Sequence, residues 1–150
     1  MHRSSRAGLT PSETLITAAI VAAFALVLAS RFADDPARRG RELTIQRMET
    51  VVDALEKYAI DNGGVFPTTD QGLSALVERP TAKPLPRRWE GPYAESEDVL
   101  IDAWGVPLHY VSPGGDGRRY DLWSNGADQA EGGEGPDADV QSWRRASMIP

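Results

Sequence analysis

From Thr14 to Ser30 the chain runs seventeen residues without a charge, rich in Ala, Leu, Ile and Val, before Arg31 ends the run. A segment of ~17 apolar residues is at the short edge of what crosses a bilayer as a helix. Glu13 stands at the N-terminal edge of this run. A carboxylate is costly in lipid unless a cation neutralises it, so an acid at that depth needs a named partner. Two ordinary explanations cover part of the pattern. Arg3 and Arg6, an apolar stretch and the small pair Ala29 and Ser30 resemble a secretory signal. A plain single-span anchor also accounts for the apolar run. Neither explains why Gly8 precedes a lone glutamate, Glu13, by five residues.

Beyond the run there is enough chain for one small domain. The chain has 150 residues and no cysteine, so disulfides are excluded. About 120 residues remain after the apolar segment, which can bury a modest core. Formal charge is −6, and losing residues 1–8 with Arg3 and Arg6 takes the side chains to −8. Nucleic acid is a poor partner for such a surface. Nine of the eleven prolines come after Asn62, which predicts a helical N-terminal part and a looped, sheet-like remainder.

Pro36 lies in a polar stretch and predicts a kink or short break near Asp35, with helix resuming by Glu42. Met48, Val51, Val52, Leu55, Tyr58 and Ala59 then recur at three- and four-residue spacing, the mark of one buried helical face. Asn62, Gly63 and Gly64 stop this helix. The expectation is one long helix bent near Pro36, with the first half in lipid or a fibre core and the second a spine for the domain. Thr68 and Gln71 have the spacing of a capping box before a short helix at Leu73, Leu76 and Val77. Val99 to Ile101 reads as a short buried strand. Leu108 to Val111 and Arg119 to Trp123 read as a hairpin joined through Gly114, Gly115 and Gly117. Little regular structure is expected from Ser124 on.

Candidate chemistry concentrates in one loop. Asp128, Glu131, Glu134, Asp137 and Asp139 fall within residues 128–139, with no basic residue among them. Gly126, Gly132, Gly133 and Gly135 allow tight turns there. Such a loop is either solvated or gathered around a hard cation, since calcium takes six to eight oxygens from carboxylates and carbonyls. It is not an EF-hand, whose ligand spacing is absent. Composition alone slightly favours the solvated loop. The aromatics Trp89, Tyr93, Trp104, Tyr110, Tyr120 and Trp123 raise a sugar-binding reading, but small domains use large rings as core and most are assigned to packing. His109 is expected on a solvent-facing strand position. Catalysis has little support: there is no cysteine nucleophile and no Gly-x-Ser-x-Gly elbow, and Gly114 to Gly117 lacks the lysine of a phosphate loop. No enzyme is expected.

Gly8, Leu9 and Glu13, with the apolar run behind them, resemble the leader of type IV pilins and pseudopilins. Leu9, Pro11 and Ser12 stand where that family usually has phenylalanine and apolar residues. The soluble part is similar to the major pseudopilins of type II secretion. Asn62, Gly63, Phe66, Pro67, Thr68, Thr69, Gln71 and Gly72 carry the resemblance, as do Trp89, Gly91, Pro92 and Tyr93. Asp102, Trp104 and Gly105 match a further motif in which Ala103 replaces proline. Tyr120, Asp121, Ser124, Gly126, Asp128, Gly132, Gly133, Gly135, Asp137, Asp139 and Trp143 complete it.

The resemblance implies an α+β, type IV pilin-like fold: a long N-terminal helix, transmembrane in its first half, on a small antiparallel sheet with a calcium-binding C-terminal loop. It implies a leader at residues 1–8, a transmembrane and fibre-core helix at 9–30, and a periplasmic domain at 31–150. A prepilin peptidase would cut between Gly8 and Leu9, and Leu9 would be N-methylated. Glu13 would serve assembly by pairing with the amino group of Leu9 in a neighbour. Calcium would be held by Asp128, Asp137 and Asp139 with the backbone carbonyl of Asn125. The protein would sit in the inner membrane by a single span and polymerise with itself, meeting minor pseudopilins and the inner-membrane secretion platform. Two alternatives accompany this reading. One is a minor pseudopilin or related pilin-like subunit; the other is a membrane-anchored, calcium-dependent binding or hydrolytic domain.

Overall fold

Helix α1, Pro11–Arg31, opens on a reciprocal cap written in its own first residues. The backbone N–H of Thr10 donates to Glu13 Oε2 at 2.8 Å, and Glu13 N–H donates back to Thr10 Oγ1 at 3.4 Å. This is a capping box with proline at the first helical position, where its missing N–H costs nothing. The computed structural model describes residues 10–31 and 36–144, and the chain divides into two compact units, 1–34 and 35–150. Within the first unit, residues 11–29 are exposed without exception, Leu15, Phe24 and Leu26 at about 70%. Pro11–Ala29 has a mean hydropathy of 2.0 and is long and apolar enough to cross a membrane. The Gly8–Leu9 bond, and the expected bend before Pro36, lie outside the described residues.

In the second unit, α2 spans Pro36–Asp61. Its start agrees with helix resuming by Glu42, and the fixed φ of Pro36 suits the first helical position. The predicted face is buried, with Met48, Val51 and Leu55 fully so and Val52 only partly, and Thr44, Ile45 and Ala54 extend it. The stop is built by Gly63, at φ 70, and by the Gly64 N–H, which reaches back to the Ala59 carbonyl at 2.7 Å. That six-to-one bond is the Schellman pattern. Near the other end, a Cβ on Gly40 would stand 3.2 Å from the Trp104 ring, so glycine lets the indole lie against the helix.

The Thr68–Gln71 box forms: Gln71 Oε1 accepts from Thr68 N–H at 3.0 Å, and Thr68 Oγ1 accepts from Gln71 N–H at 3.2 Å. It closes a turn ahead of a single 3-10 turn at Leu73–Leu76, a shorter element than the helix expected there. The strand expected at residues 99–101 is replaced by a 3-10 turn at Glu97–Leu100 and one bridge between Ile101 and Pro107. The reason is Asp102, whose Oδ1 accepts the N–H of Trp104 at 3.0 Å and of Val106 at 2.9 Å and folds the chain back at once.

The sheet has three antiparallel strands in the order β1 His109–Val111, β2 Asp121–Ser124 and β3 Val140–Gln141. The hairpin β1–β2 is legible in the sequence; β3 is not. Trp123 sits opposite His109 on one side and Gln141 on the other. Leu122 and Ser124 of β2 and Val140 of β3 face α2, while Asp121 and Trp123 face out. Trp89, Tyr93, Tyr110 and Tyr120 pack against the core as expected. Burial pushes the Tyr110 hydroxyl well above the ordinary phenol range, and that hydroxyl donates to the Pro67 carbonyl at 2.8 Å.

The β1–β2 loop is tied by Asp121, which accepts from Arg118 Nε at 2.6 Å and from Gly115 N–H at 2.9 Å. The Arg118 hydrogen bond holds the Asp121 carboxyl below its ordinary value. A depressed carboxyl contributes stability above its unfolded pKa, near ~4, and loses it as pH falls through the lower folded value. Asp121→Asn is therefore expected to cost stability at neutral pH and to cost progressively less below about pH 4. Urea melts at a series of pH values read this directly; a deficit that does not change with pH would show that the pair contributes no charge-dependent stability.

A candidate metal centre in the acidic loop

The loop from Asn125 to Asp139 is held by hydrogen bonds within itself, such as Asp139 N–H to the Gly132 carbonyl at 3.0 Å, and by contacts from outside. Gly126, at φ 70, lets it turn back on itself. A Cβ there would stand 2.5 Å from the Asp137 carbonyl oxygen, and one on Gly133 would meet the same atom at 2.5 Å. The two glycines thus bracket the Asp137 carbonyl, and no side chain fits at either place. Ala127 N–H donates to the Pro136 carbonyl at 3.1 Å beside this contact, and a 3-10 turn covers Gly135–Asp137.

Each sequence-predicted carboxylate has a place in this frame, and Asn125, predicted to add its carbonyl, is half-buried just before Gly126. Asp128 is exposed, and its Oδ1 accepts from Ala130 N–H at 3.0 Å. Asp137 is exposed, with its carbonyl turned into the loop. Asp139 is half-buried; Oδ1 accepts from Gly132 N–H at 3.2 Å and Oδ2 from Gln141 Nε2 at 3.2 Å. Among the described residues, no three His, Cys, Asp or Glu side chains gather in a way that could hold a metal ion. Asp128, Asp137 and Asp139 are therefore not brought together as one carboxylate group. The donor chemistry nonetheless suits a hard cation: the loop offers carboxylates and carbonyls and neither imidazole nor thiolate.

Four residues outside the predicted set shape the loop. Arg41 of α2 donates from Nη1 at 2.7 Å to the carbonyl of Ala138, the residue between Asp137 and Asp139. Burial lowers the Arg41 pKa from its ordinary value. Asp102, only 1% exposed, reaches the loop through Ser124 and Gln129. The Arg41 contact spans 97 residues, and no local pattern announces it.

The outer face of the sheet lies next to the loop. His109 stacks on Trp123 with centroids 4.9 Å apart, Trp143 meets Trp123 edge-on at 6.2 Å, and Arg118 lies 4.9 Å over Trp143. An open groove of about 400 Å³ crosses these rings, rimmed by Asn125, Glu131 and Asp139. Trp123 is thus one of the predicted aromatics that does not serve the core, and His109 is only half-exposed on its strand because the indole covers one side.

This architecture recurs in known proteins. Residues 34–143 match the family described as type II secretion system (T2SS), protein G. A type II secretion system core protein G of Pseudomonas aeruginosa is 33% identical over 143 residues, covering 95% of this chain and 99% of that one. The core protein G of Vibrio cholerae is 36% identical over 137 residues, covering 91% and 90%. The crystal structure of the major pseudopilin from the type 2 secretion system of enterohaemorrhagic Escherichia coli superposes with a TM-score of 0.57 at 32% identity, over 70% of this chain and 87% of that one. With its apolar N-terminal helix and small antiparallel sheet, the chain belongs to the type II secretion system protein G family, that of the major pseudopilin.

Proposed function

We propose that this protein is the repeating, non-catalytic subunit of a secretion pseudopilus, anchored in the inner membrane by α1 with its second unit in the periplasm. The observation that carries the reading is α1 itself: an apolar helix of 21 residues, about 31 Å long at 1.5 Å per residue, none of whose residues 11–29 is buried. Exposed apolar surface on this scale requires lipid or protein around it. Lipid covers it before assembly, and copies of the same helix cover it in a fibre. Head-to-tail contacts of this kind do not close and so propagate helically. Growth of such a fibre would push folded cargo through an outer-membrane channel. Minor pseudopilins, the inner-membrane platform and a prepilin peptidase acting between Gly8 and Leu9 are the partners this role requires. The mass of the mature protein tests it. Loss of residues 1–8 and gain of one methyl group at Leu9 is the expected result, and an intact N-terminus in assembled material would overturn the processing scheme.

Glu13 has two roles to separate. In the isolated chain it completes the Thr10 cap. In a fibre it would neutralise the amino group of Leu9 in a neighbour, so that two charges costly in an apolar setting cancel. Glutamine also closes a capping box, whereas alanine does not. Glu13→Ala and Glu13→Gln are both expected to insert and mature yet to give little sheared fibre. Wild-type fibre yield from Glu13→Gln would assign the residue to capping alone.

Calcium is the proposed cofactor of the acidic loop, held by the Asp128, Asp137 and Asp139 carboxylates and by backbone carbonyls, that of Asn125 included. Oxygen-only donors and the glycine-lined approach to the Asp137 carbonyl support it. Bound there, the cation would supply positive charge that offsets the crowded acids.

A further inference from the structure

The buried carboxylate of Asp102 points to a device in the loop. Its two oxygens divide their work. Oδ1 serves the local turn at Trp104 and Val106. Oδ2 reaches across the chain, accepting from Ser124 Oγ at 2.8 Å and from Gln129 Nε2 at 3.2 Å. A carboxylate this deeply buried must be satisfied by donors, and these are the donors available. Both then bind the same residue of the loop. Ser124 Oγ accepts from Gly126 N–H at 3.3 Å, and Gln129 Nε2 donates to the Gly126 carbonyl. Gly126 is where the outgoing and returning arms of the loop touch, against the Asp137 carbonyl.

We propose that Asp102 is the positioning residue of the acidic loop, acting through Ser124 and Gln129 as a clasp that grips both backbone groups of Gly126. The proposal rests on the calcium reading for its purpose. The clasp holds Asn125 and Asp128, on either side of the gripped residue, in one conformation before a cation arrives. The primary amide of Gln129 bridges a carboxylate and a carbonyl, a task otherwise suited to a cation. Its backbone marks the same role: Gln129 sits at φ 58, a region that favours glycine or asparagine. If the side chain were idle, glycine there would relax the backbone and tighten the loop. The clasp requires the opposite.

The test uses the full-length protein in detergent micelles with excess chelator. Asp102→Asn also disturbs the Trp104–Val106 turn, so the decisive variants are Gln129→Gly and Gln129→Asn. Both suit the positive φ; glycine has no amide, and asparagine is one methylene too short to reach. Amide hydrogen exchange at Ala127 is expected to quicken at least about tenfold in both, with exchange at Leu122 in β2 unchanged. If one molecule in about ten then keeps the competent loop, the calcium dissociation constant measured by titration rises about tenfold. Unchanged or slower exchange at Ala127 in the Gln129→Gly protein overturns the clasp. Because exchange is read without calcium, it stands apart from the metal reading, which fails instead if calcium leaves the melting of the unaltered protein where it was.

Discussion

Leu122→Ala is expected to lower the stability of the folded domain by about 2–5 kcal/mol. Leu122 is wholly buried in the central strand and belongs to the core cluster that includes Met48, Val51 and Leu55 of α2. The lost side chain gives up its transfer free energy, and the cavity adds to the cost wherever its walls cannot move inward. Here they are held: β2 is hydrogen-bonded to β1 on one side and β3 on the other. Small domains are stable by only about 5–15 kcal/mol, so the loss is a large share of the total. For a domain of this size it corresponds to a fall of roughly 10–20 °C in melting temperature. Val111→Ala is the control, since Val111 is 37% exposed on the edge strand and should cost under about 1 kcal/mol. Denaturant unfolding of both variants gives the comparison. A loss below about 1 kcal/mol in Leu122→Ala would mean that the sheet does not need this side chain to pack on α2.

Calcium is the second large effect. A ligand that binds only the folded form stabilises it by about 2.7 kcal/mol at a hundredfold excess over its dissociation constant. A rise of several degrees in melting temperature is therefore expected between excess chelator and millimolar calcium. Magnesium should do less, because it demands a stricter octahedron and sheds water reluctantly. The loop geometry distinguishes the acids. Among the described residues Asp128 bonds locally, to Ala130, so Asp128→Ala should abolish most of the calcium gain and leave the chelator melt nearly unchanged. Asp139 also accepts from Gly132 and Gln141, so Asp139→Ala should reduce the gain and lower the chelator melt as well. Asp137→Ala should reduce the gain. Equal melting of the unaltered protein in the two conditions would make this a solvated loop.

The chain by itself determined whatever depends on neighbours a few residues apart. The uncharged run from Thr14 to Ser30 determined the exposed apolar helix, because hydropathy over one segment is a local sum. The three- and four-residue spacing of Met48, Val51, Leu55 and Tyr58 determined the buried face of α2, because that spacing is one helical period. The Thr68–Gln71 cap and the glycine-rich hairpin before Asp121 are likewise local. Even Glu13, conspicuous in the sequence for its charge, has its cap partner three residues away in Thr10.

Tertiary structure decided the rest. Strand β3 is two residues long, too short for any alternation to be read, and exists because β2 presents an edge to Val140. The expected strand at 99–101 gives way to a turn because Asp102 captures two N–H groups of its own loop. The acidic residues are legible as a cluster in sequence, yet among the described residues no three of their carboxylates gather into one metal-holding group, and folding ties the loop to Arg41 and Asp102. Those contacts join residues 97 and 27 positions apart. A hydrogen bond at that separation depends on which surfaces the core brings together, and composition and periodicity carry no record of it.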